Sequence, residues 1–149
     1  MSTATSVLLG SRTTTTRQDV VLLIGRVALG IVLIAHGAQK LFTNGIAGTT
    51  AGFTQMGIPA PGISAWFAAL VEFGGGIALI AGVLVPLVGV LVAINMAGAL
   101  FFVHAANGVF VGDGGYELVL VIGALALVLA GTGAGAYSVD RVLPGSRRR

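Results

Sequence analysis

Long apolar stretches dominate this chain, and short glycine, proline or polar breaks divide them into four. They run from about Val20 to Phe42, Ile63 to Val85, Pro86 to His104 and Gly115 to Gly131. A helix needs about 20 predominantly apolar residues to cross the hydrocarbon core of a bilayer. The pattern therefore predicts an all-α fold, an integral membrane bundle of four transmembrane helices. The second stretch opens after Pro59-Ala60-Pro61-Gly62, with Ser64 as the expected N-cap. Trp66 and Phe67 follow at the depth of an interfacial aromatic belt. Only a tight turn around Pro86 separates the second and third spans, so they must form an antiparallel hairpin.

Composition agrees. The 149 residues are 56% hydrophobic and only 9% charged, against about 25% charged in soluble domains. Four spans and their loops leave no room for a second globular domain. Residues 1–18, polar and rich in Thr and Ser, read as a flexible cytoplasmic tail rather than a cleavable signal peptide. Residues 19–137 carry the spans, and 138–149 form a basic cytoplasmic tail. Twenty-four glycines suit close packing of transmembrane helices. The absence of cysteine excludes a disulfide, a thiol relay and a cysteine-ligated cluster on this chain.

Charge placement sets the expected orientation. Six of the eight basic residues, Arg12, Arg17, Arg141, Arg147, Arg148 and Arg149, lie near the two ends. Lys and Arg flanking membrane helices favour the cytoplasmic side, and four crossings return the chain to the side where it began. Both termini are thus expected in the cytoplasm, with the loops at Thr43–Gly62 and Ala105–Gly114 facing outward. Such terminal clusters orient the helices and meet lipid headgroups, so the sequence pI near 10.2 does not point to nucleic acid.

Glu72 lies in the middle of the second apolar run. An ionised carboxylate there costs roughly 3 kcal/mol on insertion scales, so a partner inside the bundle is expected. Arg26, His36, Gln39, Lys40, Asn95, His104 and Glu117 are the candidates. His36, Gln39 and Lys40 fall at i, i+3 and i+4 and share one face of the first span. They would form one wall of a pocket open to the outer side, with Glu72 and Asn95 at its floor and His104 and Glu117 at its rim. Whether Arg26 or Lys40 neutralises Glu72 stays open, and a structural salt bridge between Arg26 and Glu72 is the plain alternative to a functional site. No two of the His and Glu residues have helical metal-ligand spacing, so no metal site is expected. Each odd span carries an outer His followed by Asn-Gly, and each even span one Glu, an order that either suits two copies of a two-helix unit or arises by chance.

These motifs have a familiar order. Arg26-Val-Ala-Leu-Gly30 and His36-Gly-Ala-Gln-Lys-Leu-Phe42 resemble the first-helix signature of the DoxX family of small bacterial membrane proteins. The resemblance continues through Gly52-Phe53, Met56-Gly-Ile-Pro-Ala-Pro61, Glu72-Phe-Gly-Gly75, Asn95-Met96 and Gly115-Tyr-Glu117. It covers about Asp19 to Tyr137, and departs only at the tails and the uncharged turn Leu84–Val88. It implies a four-helix bundle in the bacterial inner membrane and a link to quinone-dependent or oxidative-stress redox metabolism.

The preferred expectation is an accessory subunit or scaffold of such a system, holding a quinone at the pocket around Glu72 and working with a redox enzyme partner. A complete oxidoreductase on this chain alone is not expected, because no cofactor motif is present. The alternatives are a small-solute or lipid transporter acting as a homo-oligomer, and a membrane anchor that recruits soluble partners.

Overall fold

A computed structural model describes residues 16–142. Arg12, Arg147, Arg148 and Arg149, on which part of the orientation argument rests, lie outside these residues, as does most of both expected tails. The described chain is helical, without strands. Helix α1 spans Thr16–Ala38, α2 Gly45–Gln55, α3 Pro61–Ala81, α4 Val85–Ala99 and α5 Glu117–Thr132. A π-helical turn extends α1 over Gln39–Thr43, and another extends α4 over Leu100–His104. With these extensions, three helices are long and apolar enough to cross a membrane, namely Thr16–Thr43, Pro61–Ala81 and Val85–Asn107. The fourth, α5, is apolar but shorter. Together they form a helical membrane bundle.

Side chains exposed on the long helices are mostly apolar, among them Ile24, Ile31, Leu70, Ile77, Leu87 and Leu127. Bilayer hydrocarbon is the natural neighbour of such a surface. Helices in lipid gain little from hiding apolar area from one another, so close contact and polar bonds must hold them together. Two antiparallel pairs achieve this. In α1 and α3, Gly30 and Gly76 face each other so closely that a Cβ on either would meet the other's carbonyl oxygen. Two turns further along α1, a Cβ on Gly37 would strike the backbone of Phe73. In α4 and α5, Gly89 lies against the Ala126 carbonyl and Ala130. The two pairs join along a core of Leu29, Leu33, Leu79, Val92, Ile122 and Leu129.

The boundaries differ from the sequence expectation at three places. The turn joining α3 and α4 is Gly82–Leu84 rather than the neighbourhood of Pro86, which sits inside the first turn of α4 where its missing N–H is harmless. Ser64 is not the N-cap of α3. The helix starts at Pro61 after Ala60, and the Ser64 hydroxyl donates backwards to the Pro59 carbonyl at 2.7 Å. The segment Thr43–Gly62 is no simple loop, because most of it folds as α2 against α3.

The chain past α5 also has fixed structure as far as Val142. After Gly133 it turns back as a strap under the N-terminal end of α1 and the C-terminal end of α3, closing with a 3-10 turn at Val139–Arg141. Asp19 accepts the Ala136 N–H at 2.8 Å, and the Asp140 carboxylate accepts the N–H groups of Leu84 and Val85 at 2.8 and 3.1 Å. The latter bonds supply a cap that α4 lacks locally. They also hold Leu84 in its left-handed conformation (φ 49°), which a non-glycine residue adopts at a cost.

Candidate functional site

Antiparallel register decides which of the candidate polar residues can meet. Gly37 lies opposite Phe73, so Lys40, three residues further along α1, comes opposite Glu72 on α3. The Lys40 ammonium donates to Glu72 Oε2 at 2.5 Å. Asn95, on α4, donates from Nδ2 to Glu72 Oε1 at 2.9 Å. Each carboxylate oxygen therefore has a donor, one from its own helix pair and one from the other. Glu72 is only 4% exposed, yet its charge is matched and each of its oxygens has a donor, as a buried ion requires.

Arg26 does not take part. The same register carries it to the far end of α1, opposite Gly82, fourteen residues and about 21 Å from Lys40. Its guanidinium is fully buried and donates from Nη2 to the Tyr137 carbonyl at 2.5 Å. It anchors the C-terminal strap. The suggested salt bridge between Arg26 and Glu72 is thus ruled out by distance along the helix.

The expected wall of His36, Gln39 and Lys40 also divides. The buried stripe of α1 passes through Leu29, Leu33 and Gly37, and Lys40 continues it at i+3. His36 lies one residue, or about 100°, from Gly37 and is exposed, with its ring Nδ1–H donating to the Val32 carbonyl at 2.9 Å. Gln39 is exposed as well. Neither belongs to the cluster.

Between the N-terminal half of α3 and the C-terminal half of α4, and roofed by the segment after α1, lies a cavity of about 350 Å³. Lys40, Glu72 and Asn95 line one end of it, and Ser64 and His104 line the other, near the start of α3 and the end of the α4 extension. Phe53, Met56, Phe67 and Phe102 supply apolar walls. Glu72 is eleven residues into α3 from Pro61, a depth of about 16 Å. His104 Nδ1–H donates to the Gly114 carbonyl at 2.6 Å, which leaves Nε2 as the ring nitrogen without that bond. Glu117 is not part of the lining. Its Oε1 accepts the Val111 N–H at 2.7 Å, and it shapes the loop between α4 and α5.

Sequence reasoning missed the contribution of α2 to the site. Its Thr49 is buried and donates to the Lys40 carbonyl at 3.1 Å. That bond engages a carbonyl inside the π-helical turn, where backbone bonding is irregular, and fixes the backbone that carries the ammonium. Phe53 and Met56 of the same segment face the cavity. Spacing held the signal, since Ile46, Thr49, Thr50 and Phe53 fall at i, i+3, i+4 and i+7.

Four apolar helices enclosing a charged pair and an apolar-walled cavity define a small polytopic membrane protein with an internal polar site. The chain belongs to the DoxX family, whose model matches residues 21–105. That region holds Lys40, Glu72, Asn95 and His104. The chain is 34% identical over 126 residues to "Inner membrane protein YqjF" of Escherichia coli (strain K12), covering 85% of this chain and 94% of the relative. It is 31% identical over 107 residues to "Putative oxidoreductase CatD" of Bacillus subtilis (strain 168), covering 72% of this chain and 76% of the relative. No solved structure matches the chain at a significant level.

Proposed function

We propose that this chain is a quinone-binding subunit of a membrane redox system in the bacterial inner membrane, with both termini in the cytoplasm. The observation that carries the reading is the cavity itself, an apolar slot of about 350 Å³ closing on Lys40, Glu72 and Asn95. Aromatic and methionine walls suit a flat ring. Lys40 and Asn95 offer N–H groups to a quinone carbonyl, while Glu72 offers an acceptor to the hydroxyl of a quinol. Lys40, Asn95 and Glu72 alone place donors and an acceptor side by side, so one ring oxygen can be held there in the oxidised and the reduced form alike, with His104 about 13 Å further along α4. The name of the Bacillus relative as an oxidoreductase and of the Escherichia relative as an inner membrane protein lend support.

Reduction of a quinone to a quinol takes up two electrons and two protons. The electrons come from a partner enzyme in this reading. The chain's own part is to orient the ring and to pass protons from the end of the cavity at His104 to the ring oxygens. Purification in mild detergent, followed by extraction and mass spectrometry of bound lipids, tests it. Wild type should retain a quinone in stoichiometric amount, and Glu72→Gln and Lys40→Met should lose it. A wild-type protein carrying phospholipid alone would refute the reading. Single cysteines placed in this cysteine-free chain, at Arg141 and at Asn107, test the orientation: only the second should react with an impermeant thiol reagent from outside.

A further inference from the structure

A second furrow of about 270 Å³, lined by apolar residues, runs along the same seam between α3 and α4, from the level of Glu72 toward the turn at Gly82–Leu84. Its walls are Leu70, Val71, Gly74, Ala78, Val88 and Leu91. The cavity and the furrow lie on continuous helical faces. On α3 the cavity residues Ser64 and Ala68 are followed, in steps of three or four, by the furrow residues Val71, Gly75 and Ala78. On α4 the furrow residues Val88 and Leu91 lead in the same steps to Asn95, Gly98 and Phe102 in the cavity. Below the bond between Glu72 and Asn95 the furrow continues for about 9 Å, six residues of α3.

What opens the furrow is the lack of side chains at two positions. A Cβ on Gly75 would lie 3.2 Å from Val88, which is where the two helices touch. A Cβ on Gly74 would meet nothing within 4 Å, so the seam stays open on its lipid side. We infer that this furrow seats the isoprenoid tail of the quinone whose ring occupies the cavity, making one amphipathic binding site with a polar end at Glu72 and an apolar end at Ala78. The inference rests on the quinone reading. A tail tethered to a ring bound at the cluster meets the furrow at high effective concentration. Bilayer acyl chains compete for it only as untethered neighbours.

Gly74→Leu puts a side chain into the furrow from a position where a Cβ meets nothing within 4 Å, and Leu70→Trp narrows it from an already exposed position. The test uses the full chain in nanodiscs and two kinds of probe: tailless benzoquinone and naphthoquinone rings, and the same rings carrying a geranyl tail. Binding of the tailed probe is expressed per lipid, so that its partitioning into the bilayer cancels between variants. Both variants should weaken the tailed probe about three- to tenfold, as loss of dispersion contacts in lipid implies, and leave the tailless ring unchanged. Equal weakening of both probes, or none of either, overturns the tail site while the ring site stands. Failure of wild type to bind any ring overturns both readings together. A change in oligomeric mass on Gly74→Leu, with probe binding unchanged, assigns the furrow to a second copy of the chain and overturns the inference.

Discussion

Replacing Lys40 by Met removes the cation that stands 2.5 Å from Glu72 and keeps most of the side-chain volume. Glu72 would then keep one neutral donor, Asn95 at 2.9 Å, for a charge that is 4% exposed. Removing one member of a buried ion pair costs about 3–5 kcal/mol, most of it the penalty of the charge left behind. Exposure of the pair argues for the same class of effect, since the two side chains are only 19% and 6% accessible. Surface pairs, worth about 1 kcal/mol or less, are a poor guide here.

The second half of the prediction separates this account from simple loss of a contact. In the double variant Lys40→Met with Glu72→Gln the charge is gone, and the carbonyl of the introduced amide can still accept the Asn95 N–H. Neutral replacement of a buried pair is often without cost, so the double variant should fall within about 1 kcal/mol of wild type. The double variant should therefore be more stable than Lys40→Met alone by at least about 2 kcal/mol. Reversible unfolding in mixed micelles, followed by tryptophan fluorescence of Trp66, compares both variants with wild type. If Lys40→Met alone is as stable as wild type, or the double variant is as unstable as the single, Glu72 is not held as a paired ion and the reasoning fails.

Three further outcomes follow from other contacts. Gly37→Ala puts a Cβ against the Phe73 backbone, so α1 and α3 must part. A loss of about 2 kcal/mol or more, typical of overpacking, is expected in the same unfolding assay, against little change for Gly98→Ala, which faces open space. Asp140→Ala removes both bonds to the start of α4 and should cost about 1–2 kcal/mol, as for a lost N-cap; hydrogen exchange at Leu84 and Val85 should rise first. Thr49→Val removes the bond to the Lys40 carbonyl and should cost about 1 kcal/mol, with quinone retention falling more than for Thr54→Val, whose hydroxyl bonds only within its own helix.

Much of the architecture could be read from periodicity, because hydrocarbon leaves few alternatives. A run of about twenty apolar residues has to be a helix there, and Pro86 placed the hairpin to within a few residues. Glu72 stood out for the same reason. Its partners were harder. Lys40 and Arg26 lie on one stripe of α1, so face alone could not choose between them. The choice is made by the close approach of Gly37 to Phe73, which fixes the sliding position of two antiparallel helices. No single-helix pattern contains that information. His36 was misplaced because i, i+4 neighbours differ by about 40°, enough to straddle the edge of a buried stripe. The strap remained hidden since its bonds to Arg26 and Asp19 use the backbone at Tyr137 and Ala136, which carries no residue-specific mark. Helix α2 announced itself only by the spacing of Ile46, Thr49, Thr50 and Phe53 in an otherwise small and polar stretch.

The contacts of Gly30, Gly37 and Gly89 clamp each helix pair backbone to backbone, whereas the seam between α3 and α4 is bridged at its centre by one amide, Asn95 to Glu72. Rigidity and adaptability are thus assigned to different residues. The glycines fix how each pair assembles and tolerate almost no change. The seam can be re-lined at Phe67, Leu91 or Phe102, which lie outside the core that joins the two pairs. A scaffold divided in this way can change what it holds while keeping how it is built, and libraries that vary only the seam should yield folded proteins with altered ligand preference.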